Sequence, residues 1–234
     1  MDLIGRWRER GDGAVRIVAF GSSNTELTLE NAGRHNWVDW LAIQLRLHVG
    51  RHVHVINQGV SGDTAEMLLA RIDRDVLSYR PDAVIITIGG NDAGQGISQE
   101  AYAGRIREIC GRLRAIGAEP VLQTYYCPLH HEAGAAYEAA FEANMRAKRE
   151  LAAELGITLV DQHRRFDPLY RRYPDEYAKL MRDWLHLNAL GNLLMAQNLC
   201  DRLGLPPIPA PPDLARDAAA LLALMDACAL RLRP

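Results

Sequence analysis

Short apolar runs alternate along this chain with longer stretches in which apolar residues recur every three or four positions, the pattern of buried strands separated by helices with one apolar face. Val15, Ile17, Val18 and Ala19 predict a first strand, and Val53, Val55 and Ile56 predict a second that ends at Asn57. Ala83-Val84-Ile85-Ile86-Thr87-Ile88 is the most continuous run, and a run without alternation suits a central strand covered on both faces. Pro120-Val121-Leu122-Gln123-Thr124 starts a fourth strand, and Ile157, Leu159, Val160 and Asp161 make a fifth. Between them, Trp37, Trp40, Leu41, Leu45 and His48 mark one helix, and Met67, Leu68, Ile72, Val76 and Leu77 mark a second that stops before Pro81. Ile106, Ile109, Leu113 and Ile116 mark a third ending at Gly117; the alanine-rich stretch 135–155 is a fourth, stopped by Gly156. A further helix is expected over 188–203. Strands separated by helices of similar length imply right-handed crossovers, hence an α/β fold: a three-layer α/β/α sandwich with a five-stranded parallel sheet.

The 234 residues read as a single domain, with a core at about 14–204 and a segment with five prolines at 205–212 that reads as an extended linker. A C-terminal helix at about 213–232 follows; it is expected to pack on the body, with a dimer contact as the alternative. No run is long enough to cross a bilayer as a helix, and the first ten residues lack the apolar core of a secretion signal, so the expectation is a cytoplasmic protein without a membrane span. The net charge of −2 and the scatter of arginines among acids disfavour nucleic acid as a partner. Arg164-Arg165 and Arg171-Arg172 read as solvated faces. The four cysteines, Cys110, Cys127, Cys200 and Cys228, form no closely spaced zinc or redox pair and read as reduced, mostly buried thiols.

The polar punctuation between elements carries the candidate chemistry. The first strand runs into Phe20-Gly21-Ser22-Ser23-Asn24-Thr25, where a serine oxygen and a free backbone N–H can share one point above the sheet, although such residues also make ordinary caps and turns. The second ends in Asn57-Gln58-Gly59-Val60-Ser61-Gly62-Asp63-Thr64, with Asp63 or Thr64 able to cap the next helix, and the third in Gly89-Gly90-Asn91-Asp92. Asp183-Trp184-Leu185-His186 lies near the C-terminus. In a parallel sheet the C-terminal strand ends share one edge, so these loops can converge where ligands bind in open α/β folds. A serine hydroxyl needs a base to take its proton, neutral histidine suits that task near pH 7, and an aspartate three residues away can fix the tautomer.

Taken together, these blocks resemble the SGNH hydrolases, the GDSL-type esterases and lipases, from Phe20 to Gly191. Gly21-Ser22-Ser23 stands where that family has its Gly-Asp-Ser nucleophile block, Gly62 matches its oxyanion glycine and Asn91 its asparagine. Asp183-Trp184-Leu185-His186 matches the Asp-x-x-His block, with Asn188 and Gly191 trailing. The resemblance implies a flavodoxin-like sandwich and a catalytic triad of Ser23, His186 and Asp183. The oxyanion hole would comprise the Ser23 and Gly62 N–H groups and the Asn91 amide. The expected function is hydrolysis of small or medium O-acyl esters, acetyl included, through an acyl-serine, with a small-molecule ester as partner and no metal or cofactor.

Two departures stand out: Ser22 replaces the family's aspartate and Leu187 replaces a proline. Register assigns attack to Ser23 and a structural role to Ser22. His52 and His54 read as surface histidines, and His130 and His131 as either a pocket border or a solvated loop. Asp92 reads as support for its turn, and Trp184 as site lining or core. Two rival readings are a flavin-binding electron carrier, because the Ser22-Ser23 turn resembles a phosphate loop, and a noncatalytic carbohydrate- or acyl-binding module.

Overall fold

Val15–Gly21 forms strand β1 with five consecutive positions, 17 to 21, buried, so each residue has a helix layer on whichever face it points to. The computed structural model describes residues 3–11, 13–26 and 33–230; the expected helix positions 231 and 232, and Met1 and Asp2, lie outside them. The other strands are β2 (Val53–Gly59), β3 (Ala83–Thr87), β4 (Glu119–Gln123) and β5 (Thr158–Val160). All pairs are parallel, in the order β2-β1-β3-β4-β5. This is the flavodoxin-like order, in which the connection reverses direction at β1 and β3 and leaves a crevice at their carboxyl ends.

The helices are α1 (Leu3–Arg8), α2 (Trp37–His48), α3 (Ala65–Asp75), α4 (Gly90–Gly94), α5 (Gln99–Ala115), α6 (His130–Ala133), α7 (Ala135–Leu155), α8 (Gln162–Arg172), α9 (Pro174–Ala178), α10 (Ala189–Arg202) and α11 (Ala215–Leu230). Strand pleating divides the core: Ile17, Ala19, Ala83 and Ile85 face α2, α8 and α10, whereas Val18, Phe20, Val84 and Ile86 face α3, α5 and α7. Among the described residues, no helix is long and apolar enough to cross a membrane.

The expected boundaries shift in two places. Helix α3 ends at Asp75, short of Val76 and Leu77; a 3₁₀ turn at Leu77–Tyr79 follows, and Arg80 adopts φ +48° immediately before Pro81, which opposes helical backbone at the residue preceding it. The proline-rich stretch is extended but is not a free linker: Leu205 and Ile208 are buried, and the Ile208 N–H donates to Gln197 Oε1 at 2.8 Å. It leads into α11, whose Ala218, Leu221, Met225 and Cys228 are buried and which packs on α8 and α10.

Candidate active site

The turn after β1 closes tightly because the N–H groups of Thr25 and Glu26 both donate to the Ser22 carbonyl, at 2.8 and 3.0 Å. Two successive hydroxyls then go different ways. Ser22 is 1% exposed, with its Oγ 2.7 Å from the buried Tyr125 hydroxyl, whereas Ser23 faces a shallow cleft with its Oγ 2.9 Å from His186 Nε2. Neighbouring elements clamp the backbone between them. Asn57 Nδ2 and Asn36 Nδ2 donate to the Thr25 carbonyl at 2.6 and 3.0 Å, and the Trp37 indole donates to the Asn24 carbonyl at 2.9 Å. Asn36 also caps α2 by accepting from the Val38 and Asp39 N–H groups. Gly59 is required here, since a Cβ on it would lie 2.2 Å from the Glu26 nitrogen.

Asp183 and His186 sit on the irregular stretch between α9 and α10. The Asp183 carboxylate accepts from the N–H groups of Leu185 and His186, at 2.8 Å each, and lies 2.8 and 2.9 Å from His186 Nδ1. A carboxylate only accepts, so Nδ1 carries the imidazole proton and Nε2 presents its lone pair to Ser23. Burial pushes the Asp183 carboxyl up, but the two N–H groups and the imidazole outweigh it and hold it below the ordinary aspartate value. The stretch is fastened to the loop after β4: the Leu129 N–H donates to the Trp184 carbonyl at 2.8 Å, and the Tyr126 hydroxyl sits against both the Leu185 carbonyl and Asn24 Oδ1. One buried tyrosine thus touches the turn of Ser23 and the stretch of His186.

On the other side of Ser23, Gly62 adopts φ +85°, a conformation that glycine adopts without steric cost. Asn91 Nδ2 donates to the Asp63 carbonyl at 2.8 Å, and its second N–H has no partner among the described residues. The backbone N–H groups of Ser23 and Gly62 have no hydrogen-bond partner among the described residues. No direct bond joins Ser23 to Gly62 or Asn91 among those residues; the turns are coupled through the Val60 N–H, which donates to the Gly21 carbonyl at 3.1 Å, and through Arg71.

Arg71, on α3, is a residue that sequence reasoning missed. Its guanidinium donates to Asp63 at 2.6 Å, Asp75 at 3.0 Å, the Gly21 carbonyl at 3.2 Å and the Gln58 carbonyl at 2.9 Å, and it lies 4.6 Å over the Phe20 ring. One cation therefore ties the ends of β1 and β2 to the Gly62 turn. Asp63 is engaged in this way, and the cap of α3 is Thr64, which accepts from the Met67 N–H. Asp92 reaches beyond its own turn: fully buried, it accepts from the Ala65 N–H at 3.0 Å, and burial raises its carboxyl despite that bond.

Beneath the Asn91 turn, the wholly buried Lys148 donates to the Ile88 and Gln123 carbonyls at 2.8 Å each, and Asn144 donates to the Gly89 carbonyl at 3.1 Å. Burial pushes the Lys148 ammonium down to about 7, against the attraction of Asp92. Unfolding would restore an ordinary lysine, so between about pH 7 and 8 the unfolded chain binds the extra proton and stability rises with pH. Denaturant titrations are expected to show a gain of up to about 1.4 kcal/mol per pH unit over that window, and none in Lys148→Met. An identical slope in the variant refutes this origin. Above about pH 8 the buried thiols, Cys110 raised to about 11, Cys200 to about 12 and Cys127 raised too by burial, reverse the trend, since they keep protons that the unfolded chain loses at about pH 8.5.

The remaining candidates fall outside the cleft, whose described lining is Ser23, Asn24, Glu26, Asn36, Arg182, His186, Leu187 and Asn192. His52 bonds to the Trp7 carbonyl and His54 is exposed. His131 is exposed and stacks on Tyr170, while His130 is buried away from Ser23. Trp184 packs edge-on to Tyr137 at 5.1 Å. All four cysteines are free and buried.

Sequence and structure comparisons bear on the family and the fold. The model of the GDSL-like lipase/acylhydrolase family matches residues 19–194. Thioesterase 1/protease 1/lysophospholipase L1 of Escherichia coli K12 is 33% identical over 106 residues, 45% of this chain and 49% of that protein, so the chain spans about half the length of this curated relative. The acetylxylan esterase of Geobacillus stearothermophilus is 24% identical over 163 residues, 65% of this chain and 73% of that one. A crystal structure of a catalytic mutant of that esterase, Axe2, superposes with TM-score 0.70 at 20% identity over 85% of this chain and 99% of its own, which bears on the fold alone. LAE5, described as an alpha/beta hydrolase from the metagenome of Lake Arreo, Spain, gives TM-score 0.69 at 25% identity over 82% and 96% of the two chains. With its family model spanning the turn of Ser23 through Asp183 and His186, on a five-stranded sheet of flavodoxin-like order, the chain belongs to the GDSL-like lipase/acylhydrolase family.

Proposed function

We propose that this single-domain protein is a serine esterase acting on small O-acyl esters, acetyl esters foremost. The observation that carries the proposal is the unbroken line from Ser23 Oγ to His186 Nε2, at 2.9 Å, and from His186 Nδ1 to Asp183, at 2.8 Å. His186 takes the Ser23 proton as Oγ attacks the ester carbonyl, and Asp183 stabilises the imidazolium that forms. The carbonyl oxygen becomes an oxyanion that accepts from the Ser23 and Gly62 N–H groups and from Asn91. Collapse expels the alcohol, which takes its proton from His186 and leaves acyl-Ser23; water, deprotonated by His186, then releases the acid. The shallow cleft supports a short acyl group, and the relative named an acetylxylan esterase supports acetylated carbohydrate as the alcohol side. The four free, buried cysteines suit a reducing cytoplasmic setting.

The flavin reading has less support, because Ser22 is turned onto Tyr125 and Ser23 onto His186, leaving neither hydroxyl to cradle a phosphate. Hydrolysis is best tested with p-nitrophenyl esters from acetate to longer chains, together with acetylated xylo-oligosaccharides. Turnover should be highest for acetate. Asn91→Ala should lower kcat by about 10²–10³-fold with little change in KM, the usual result of losing one oxyanion donor. A kcat within about twofold of wild type in that variant would remove Asn91 from the oxyanion hole.

A further inference from the structure

Away from the Ser23 cleft, five side chains of metal-ligating type converge from three parts of the chain. Cys127 lies in the loop after β4, His130 opens α6, Glu142 projects from α7, and His163 and Asp167 stand one turn apart on α8. One ligand atom from each of Cys127, His130 and His163 lies within 4.8 Å of the other two, and the same holds for Glu142, His163 and Asp167. Glu142 Oε1 is 3.1 Å from His163 Nε2 and 4.0 Å from His130 Nε2. Cys127, His130 and His163 are all buried. His130 is 3% exposed, yet neither of its ring nitrogens has a hydrogen-bond partner among the described residues, and its ring is packed edge-on by Phe141 and Tyr170. A buried imidazole with both nitrogens unpaired calls for a ligand.

We propose that Cys127, His130, His163 and Glu142 form a structural zinc site. One thiolate, two imidazoles and a carboxylate are the donor set zinc favours, and a closed tetrahedron of such ligands has edges of about 3.3–3.6 Å. The Glu142–His163 pair already spans 3.1 Å, whereas the Cys127, His130 and His163 atoms, within 4.8 Å of one another, draw together by up to about 1.5 Å, and Cys127 and Glu142, which belong to different clusters, close furthest. On binding, Cys127 gives up its thiol proton to solvent, and the thiolate and carboxylate together balance the dication. Asp167 stays in the outer layer, since Arg171 holds it at 2.8 Å. Several contacts must change: the Cys127 S–H gives up the Pro128 carbonyl and Asp167 Oδ1, at 3.4 and 3.8 Å, and Glu142 Oε1 gives up Arg171, at 3.4 Å. Arg149 donates to His163 Nδ1 at 3.1 Å, and a guanidinium cannot accept, so when His163 Nε2 binds zinc and Nδ1 becomes the donor, Arg149 gives up that contact and keeps Asp161. A cavity of about 940 Å³ lined in part by His130, Glu138, Tyr170 and Arg171 provides the way in. The bound ion would brace the loop whose Tyr126 and Leu129 hold the His186 stretch.

Metal-stripped protein loaded with Zn²⁺ and dialysed should retain about one zinc per chain by elemental analysis. With free zinc near a hundred times its Kd, the melting temperature should rise by about 5–10 °C. Co²⁺ in place of zinc should give a thiolate charge-transfer band and intense visible bands of a tetrahedral ion. Cys127→Ser should abolish the charge-transfer band, and His130→Gln and Glu142→Gln should each weaken zinc binding by at least about tenfold. His131→Gln, an exposed neighbour, should change nothing. Should Cys127→Ser fail to fold, the other two ligand variants decide. Retention of less than about a tenth of an equivalent, or binding indifferent to His130→Gln and Glu142→Gln, overturns the proposal. Zinc content and the Co²⁺ spectrum are read without reference to ester turnover, so this site and the esterase reading succeed or fail separately.

Discussion

Replacing Ser23 with alanine is expected to lower kcat for p-nitrophenyl acetate by about 10⁵–10⁶-fold, the scale seen when a catalytic serine is removed, while the fold persists. Among the described residues, the only side-chain hydrogen bond lost is the one to His186, at the half-buried rim of the cleft. Ser22→Ala should do the reverse. Its hydroxyl pairs with Tyr125 in the core, so its removal leaves that buried phenol with Asn24 alone and costs about 0.5–1.5 kcal/mol of stability, with turnover persisting. Kinetics and denaturant midpoints for wild type and both variants check this pair. Loss of turnover in a folded Ser22→Ala with an active Ser23→Ala would move the nucleophile by one residue.

Arg71→Met is expected to cost about 3–5 kcal/mol of stability, the usual result of removing one partner from a buried ion pair. Asp75 keeps Arg74, but Asp63, with a side chain only 10% exposed, has no other side-chain partner among the described residues. The Gly21 and Gln58 carbonyls lose a donor at the same time. Because these groups fix the Gly62 turn against the end of β1, kcat should fall in the variant even where folding is complete. Arg71→Lys should recover only part of both losses, since one ammonium has three donors on a single atom and cannot span four partners. A stability loss below about 1 kcal/mol with normal kcat would show that the network is incidental.

The fold and the chemical residues were legible for different reasons. β1, β3 and α10 are read directly because burial on both faces of a sheet imposes continuous apolar runs and helices impose their own period. Ser23, Gly62 and Asn91 drew notice because each stands in a polar turn after a strand, conspicuous in an apolar frame, and Asp183 and His186 through the resemblance of the Asp-x-x-His block. Helix α8 was missed: Gln162–Arg172 carries few apolar residues and Pro168 inside it, and it is held by tertiary packing of Phe166 and Leu169. Arg71 and Lys148 were equally invisible. Each lies on an otherwise ordinary helical face, and its importance comes from backbone carbonyls supplied by strands far away in sequence. The Cys127 cluster was hidden too, because its ligands come from separate segments and lack the close spacing that marks a zinc motif.

The stretch bearing Asp183 and His186 is held within itself by the Asp183 carboxylate and by the Arg182 N–H on the His186 carbonyl, and it is tied to the loop after β4 through Tyr126 and Leu129. The base and the nucleophile therefore ride on pieces of chain that can part company without a helix or strand being lost. Turnover in this protein becomes a gauge of how well those two pieces are docked, sensitive to slackening that circular dichroism does not register. Changes in the loop after β4, though none of its residues touches the reacting atoms, act on the rate as a dial rather than a switch.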